Sequence, residues 1–489
     1  MERRAGAFPF RKNSYVFDQM NGWHSDLPAF LINIHKVNDE MQAEAYVSRL
    51  EGLGTVVDTL RAEAEARHAA GVTPPDWVFP YLIMDIGNLL SGAPFDDGEP
   101  NALYADLLEK VNALDIPQAR KDSLIARGTA ALTDGMAPAY RELLAMVERQ
   151  APEAPDVDGI HRFADGADYY AERLRYYTTT DMTADEVHDL GLQQVARIHG
   201  EMEAIMDRVG FEGTRPEFFV SLRTDPNMFY TTREAYLADA QAKIDAIEQK
   251  LPEYFGALPT SDFIIKPVEA FREQSAGKAF YSAPSPDGKR PGTYYVNLYN
   301  LNDMSKTELE ALAYHEAKPG HHLQRALQVE MGDLPPFRRF GGFTAYTEGW
   351  GLYSEELPKD MGFYQDLYSD FGRLGMELWR ASRLVVDTGL HHKGWSREEA
   401  IAWLTENTPN PDGDIRKAIE RYAVYPGQAT AYMIGKLKIM ELRQRAMDAA
   451  EARGEDFDWR GFHDAVLLSG PVPLNILEEN IDAWIASQA

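Results

Sequence analysis

The feature that most restricts the fold is a helical period running through most of the chain. In "DEMQAEAYVSRLEGLGTVVDTLRAEAEARHAAG" (39–71) apolar residues recur at three-and-four spacing and glycine ends the run. "TADEVHDLGLQQVARIHGEMEAIMDRVG" (183–210) opens with a capping-box pair, Thr183 and Glu186, and also closes on glycine. A third long helix is expected over 232–255, and others over 305–330, 344–357, 364–392, 396–406, 414–422 and 428–452. Strand signals are confined to "DFIIKPVEA" (262–270) and "GTYYVNLYN" (292–300), both rich in β-branched and aromatic residues. The turn-rich "SAPSPDGKRPG" lies between them. The expected fold class is therefore mainly α, with a small β-sheet just before the helix at 305–330.

With 489 residues the chain exceeds one minimal core. The Pro-rich "RQAPEAPDVDG" (149–159) is the best linker, so an N-terminal helical region over 1–150 and a second region over 151–489 are expected, in one continuous helical unit. The net charge of −28 repels phosphate backbones and anionic lipid, which argues against nucleic-acid partners. The absence of cysteine excludes disulfides, thiolate metal sites and a cysteine nucleophile. No apolar run approaches the ~18 residues of a membrane span. "MERRAGAFPFRKN" shows no apolar signal core. No Gly-x-Ser-x-Gly elbow or phosphate-binding glycine loop occurs.

The chemistry concentrates in "AYHEAKPGHHLQ" (313–324). In a His-Glu-x-x-His helix the two histidines share one face and bind Zn²⁺, and the Glu acts as general base. His315 and Glu316 begin that pattern, but the position of the second histidine is Pro319. Proline cannot ligate, and it must bulge or kink the helix. Read as a two-residue Pro-Gly insertion, the pattern makes His321 the second ligand. An unbroken helix would favour His322, seven residues from His315; the proline weakens that alternative. A third ligand is still needed. "FTAYTEGWGLYSEEL" (343–357) offers Glu348 and Glu355, seven apart on one face, one to ligate and the other to orient a histidine.

"HEAKPGHHLQ", "TEGWGLYSEEL", "DTGLHHKGWSREEA" and "RYAVYPGQATAYMIGKLKI" together resemble the bacterial domain-of-unknown-function family numbered 885. Two further stretches, "RYYTTTDMTADEVHDLGLQQVARI" and "YSAPSPDGKRPGTYYVNL", extend the likeness over most of the chain. That family in turn resembles the mostly helical gluzincin zinc peptidases: the dipeptidyl carboxypeptidase, angiotensin-converting enzyme and thermostable carboxypeptidase groups. The resemblance implies a large helical gluzincin-like fold with the sheet beside the active-site helix. It implies His315, His321 and Glu348 as metal ligands and Glu316 as catalytic base. The Pro-Gly insertion departs from those peptidases.

The same resemblance extends to "PGQATAYMIG", similar to a carboxypeptidase segment whose Tyr stabilises the oxyanion, and so nominates Tyr432. Arg421, Tyr422 and Gln428 become candidates to hold a substrate carboxylate, as Arg does through bidentate bonds. His391 is a candidate for contacting substrate or for supporting a residue that does. Arg383 and Asp387, spaced i,i+4, read as a structural ion pair. "GTYYVNL" resembles the sheet edge on which zinc peptidases lay an extended substrate. His24, His35, His68, His161, His188, His199 and His463 have no partner pattern and read as structural or exposed.

The expectation is a Zn²⁺-dependent hydrolase cleaving amide bonds of short peptides, without nucleic-acid partners. Family members often carry export signals, which points to the periplasm or to secretion. Two other readings stand beside it. One is a zinc amidohydrolase acting on a small non-peptide metabolite. The other is a metal-free binding protein on a decayed peptidase fold, which retention of Glu316 disfavours.

Overall fold

The structure is a computed structural model that describes residues 2–20, 22–268, 273 and 277–488. The chain divides into two compact units, Met1–Tyr169 and Tyr170–Ala489.

The first unit is all helix among the described residues. Its longest element, Glu40–Ala69, starts where the Asp39 carboxylate accepts a hydrogen bond from the Gln42 amide. Its buried face (Val47, Leu50, Leu53, Val57) belongs to one core with Tyr140, Leu143, Met146 and Val147 of Ala137–Gln150.

The second unit is mainly α with a small three-stranded sheet. Helix α1 (Ala184–Val209) begins at the expected Thr183/Glu186 capping box and ends at Gly210 in the left-handed region (φ 73°). It packs along α5 (Leu367–Thr388), the most completely buried helix of the unit. Helices α2 (Lys306–Glu316) and α3 (His321–Glu330) replace the single helix expected over 305–330. Helix α4 (Thr344–Asp360) packs along α7 (Ala431–Arg453), and α6 (Asp412–Val424) leads into α7 through a short 3₁₀ turn. The helix expected to reach 392 stops at Thr388, where Gly389–Lys393 widens into a π turn.

The sheet order is β1–β3–β2, from β1 (Phe263–Pro267), β2 (Ala279–Ser282) and β3 (Gly292–Val296). β1 runs parallel to β3 and β2 antiparallel to it, with Ile264 opposite Thr293 and Phe280 opposite Tyr295. Both expected strands exist, but shorter. β3 stops at Val296, after which the Asn297 side chain accepts from the Tyr299 amide in a turn. The expected end of the first strand, residues 269–270, lies outside the described residues. β2 was not expected, because four residues between turn-formers carry little periodicity. It changes one reading: β3 is the central strand, paired on both sides, so "GTYYVNL" cannot be the substrate-receiving edge. β2 packs against α2 and β3 against α3, which sets the sheet beside the "HEAKPGHH" segment.

Candidate metal centre

The break between α2 and α3 is built by Pro319 and Gly320. Helix α2 ends at Glu316, and Ala317 takes a non-helical conformation (φ −99°, ψ −107°). The Lys318–Pro319 peptide is cis. The His322 amide then donates back to the Ala317 carbonyl at 3.0 Å, and α3 starts. A Cβ at Gly320 would lie 1.9 Å from the His315 carbonyl oxygen, so no other residue fits there. The Trp350 indole of α4 donates to the Pro319 carbonyl at 3.0 Å and fastens the bulge. Trp350 is fully buried, which explains why "EGW" stands opposite "PGH".

The two histidines leave this break in different directions. The His321 ring meets His315 edge to face, centroids 4.7 Å apart. His322 turns to the sheet, against the Phe263 ring (4.7 Å) and 2.9 Å from the Tyr281 hydroxyl. Nitrogens of His315 and His321 and a carboxylate oxygen of Glu348 all lie within 4.8 Å of one another. His321 Nε2 is 3.5 Å from Glu348 Oε2. Glu355, two turns along α4, has its Oε1 2.7 Å from His315 Nδ1, leaving Nε2 as the available ring nitrogen. A Cβ at Gly351 would lie 2.7 Å from His315 Cε1, so α4 approaches the imidazole closely only because that residue is glycine.

The electrostatics separate the four groups. Burial drives His315 well below its ordinary value and keeps it neutral, the ligating form. Burial raises Glu316 to about 7, and its Oε2 has no hydrogen-bond partner. At Glu348 burial works against ionisation, but His321 outweighs it and holds the carboxylate at about 2. His321 rises correspondingly, Glu348 overcoming burial, and its Nδ1 is unpartnered. The donor set therefore fits a divalent cation: two imidazoles and one carboxylate, buried and convergent, with orphaned polar atoms beside them.

These groups open into a cavity of about 660 Å³. Its walls include β2 residues Ala279, Phe280 and Tyr281, α5 residues Trp379, Arg380 and Arg383, and Arg421 and Tyr432. Tyr432 thus reaches the cavity, its ring lying 4.5 Å under the Arg383 guanidinium. The β2 strand, paired with β3, thus forms one wall of the cavity.

The substrate-binding candidates divide. Arg421 lines the cavity, its guanidinium hydrogen-bonded to the Gln428 side chain. Gln428 and Tyr422 stand behind it, off the wall. His391 does not line the cavity: it sits on the π turn, donates from Nε2 to the Tyr422 carbonyl at 2.9 Å, and packs on Tyr170 (5.3 Å), the supporting half of its expected role. The Arg383–Asp387 pair is corrected. Asp387 accepts from the Tyr170 hydroxyl (2.6 Å) and the Gly427 amide (3.0 Å), while Arg383 turns to the cavity. One turn of α5 swings the two side chains apart because the Gly427 turn offers Asp387 a backbone donor. The sequence reading also missed Arg380 and Arg325 in the wall; the three-residue spacing of Arg380 and Arg383 was the available signal. His463 is structural as expected, accepting from Tyr353 and donating to the Tyr254 carbonyl.

The family model described as "Bacterial protein of unknown function (DUF885)" matches residues 2–481, and the chain belongs to that family. A crystal structure of a protein from Colwellia psychrerythraea, described as a candidate lipoprotein, is similar at 34% identity and TM-score 0.90, over 97% of this chain and 81% of that one. A Shewanella oneidensis protein, described as a candidate lipoprotein of unknown function, shares the fold at 18% identity and TM-score 0.73, over 96% and 83% of the two chains. No curated protein matches.

Proposed function

We propose that this protein is a metal-dependent hydrolase, with zinc the preferred ion, that cleaves amide bonds of short peptides. The carrying observation is the convergence of His315, His321 and Glu348 beside Glu316, whose buried Oε2 has no partner, at the wall of a cavity. The arrangement is the one that the likeness to helical gluzincin peptidases implies.

His315, His321 and Glu348 would hold the ion. Bound zinc would supply Lewis acidity and lower the pKa of water at the site. Glu316 then accepts a proton from the attacking water and returns it to the leaving amine; burial, which lifts its pKa toward neutrality, suits it to both transfers. Glu355 holds His315 in one tautomer through Nδ1. Tyr432 donates a hydrogen bond to the carbonyl oxygen as negative charge develops there. The β2 wall gives an extended peptide a surface to lie along. The cavity walls and volume favour short chains over folded proteins. The lipoprotein description of the two similar structures supports work outside the cytoplasm, and no helix among the described residues is long and apolar enough to cross a membrane.

The test is metal content by mass spectrometry after zinc is supplied, with hydrolysis of a short peptide set alongside. Wild type should bind about one zinc, His321→Ala should lose it, and His322→Ala should keep it. Glu316→Gln should keep zinc yet lose about 10²–10⁴ in kcat. A wild type that takes up no metal would overturn the reading.

A further inference from the structure

We infer that the cavity receives a substrate carboxylate at Arg383, so that the hydrolase acts on peptides bearing a free carboxylate next to the bond it cleaves. The inference rests on the proposed hydrolase reading and adds its substrate class.

Arg383 is 8% exposed, yet its Nε and Nη1 have no hydrogen-bond partner. A guanidinium stays charged at any working pH, and leaving one buried and unpaired is strongly unfavourable. Its neighbours in the fold are the Tyr422 and Tyr432 rings, and among the described residues no carboxylate forms an ion pair with it. Asp387 is committed to Tyr170 and Gly427, Glu355 to His315 and Arg380, and Glu348 to His321. The Tyr432 ring holds the guanidinium by its face, 4.5 Å from the centroid. That grip leaves the in-plane N–H groups for a planar, bidentate acceptor, and a carboxylate is the planar anion that peptides carry. Arg383 lines the same cavity as Glu316, His321 and Glu348, so a carboxylate held there lies beside the reacting centre. Lys278, Arg325, Arg380, Lys417 and Arg421 line that cavity too, against the carboxylates Glu308, Glu316, Glu348 and Asp414, so its wall carries an excess of basic groups in a chain of net charge −28.

Two sources can supply the carboxylate: a peptide C-terminus or an acidic side chain. The experiment uses the full chain with zinc supplied and Glu316→Gln to suppress turnover. Three probes are titrated by calorimetry: benzoyl-Gly-Ala-Ala with a free C-terminus, its C-terminal amide, and benzoyl-Gly-Ala-Glu amide. The free acid should bind about 100-fold tighter than the plain amide. Arg383→Gln in the same background should erase that difference while zinc content and thermal midpoint hold, and Arg383→Lys should retain part of it. Tight binding of the glutamyl amide as well would assign the site to carboxylates from either source. Equal binding of acid and plain amide, binding of neither, or an acid preference that survives Arg383→Gln would overturn the inference. Hydrolysis by the Glu316 enzyme is scored separately: carboxylate binding without cleavage would sink the hydrolase reading and leave the Arg383 site standing.

Discussion

The two units use charge in opposite ways. In the first, ion pairs form a ladder on the surface: Arg120 with Glu40 and Glu44 (2.6 and 2.7 Å), Arg127 with Glu44 and Glu51 (2.6 and 3.0 Å). In the second, charge goes inside. Lys436, 2% exposed, sits between Glu356 and Glu377, and Glu377 also meets Arg197 and Arg373. Arg373 continues to Asp370 at 2.8 Å. Surface pairs exchange one polar environment for another and add little. Buried ones must repay desolvation through geometry, so each partner becomes indispensable to the others. The candidate metal centre lies in the unit with the second kind of interior.

The sharpest break of that contrast is Lys436→Met. It leaves Glu356 and Glu377 short of a cation in the interior, and about 3–5 kcal/mol of stability should be lost in urea unfolding. A neutral result would mean that Arg197 and Arg373 suffice. Next is Asp387, a buried carboxylate with no cation of its own, raised by burial to about 7 from an ordinary 3.8. Its native state holds a proton that the unfolded chain releases, so its stabilising contribution is complete below pH ~4 and is lost as pH rises through 7. Wild type should lose about 2 kcal/mol more than Asp387→Asn between pH 5 and pH 7. Asparagine keeps an acceptor for the Tyr170 hydroxyl and the Gly427 amide, so parallel curves would show that the carboxyl is ionised throughout. Third, Glu355→Gln frees His315 Nδ1 from its carboxylate and should weaken zinc binding about 10–100-fold in competition with a chelator.

The same contrast explains what could be read from the sequence. Helices with a clear period and a polar start, such as 183–210 with its Thr183/Glu186 box, were legible because local chemistry and burial agree there. The His315–Glu316–His321–Glu348 grouping was legible because the Pro-Gly break marks the first motif and the family resemblance singles out Glu348 in the second, and the structure brings those side chains together. Glu355 was foreseen as one of two carboxylates, with its role undecided. β2 was not legible: its residues are fixed by pairing with β3, which no local pattern announces. Arg383 was misassigned for a physical reason. An i,i+4 Arg–Asp spacing permits a pair on an exposed helix, but α5 is buried, and there the backbone amide of Gly427 and the hydroxyl of Tyr170 compete for Asp387 and win. Which of its two expected roles His391 takes was not legible, because its contact with the Tyr422 carbonyl is tertiary.

The smallest expected effect tests the other side of the comparison. Arg127 touches two glutamates at good distance, more partners than many buried cations have, and a count of contacts would rank it high. Its side chain is 40% exposed, as are its partners to similar degree, so water replaces each lost contact. The helix backbone at 127 does not depend on the guanidinium, and alanine is the better helix former. Arg127→Ala should therefore shift stability by less than about 1 kcal/mol, and the shift should shrink further in 1 M salt, where surface charges are screened within ~3 Å. Urea curves at low and high salt measure both. A loss approaching that of Lys436→Met, and persisting in salt, would mean that exposure is not what separates the two kinds of charge in this protein.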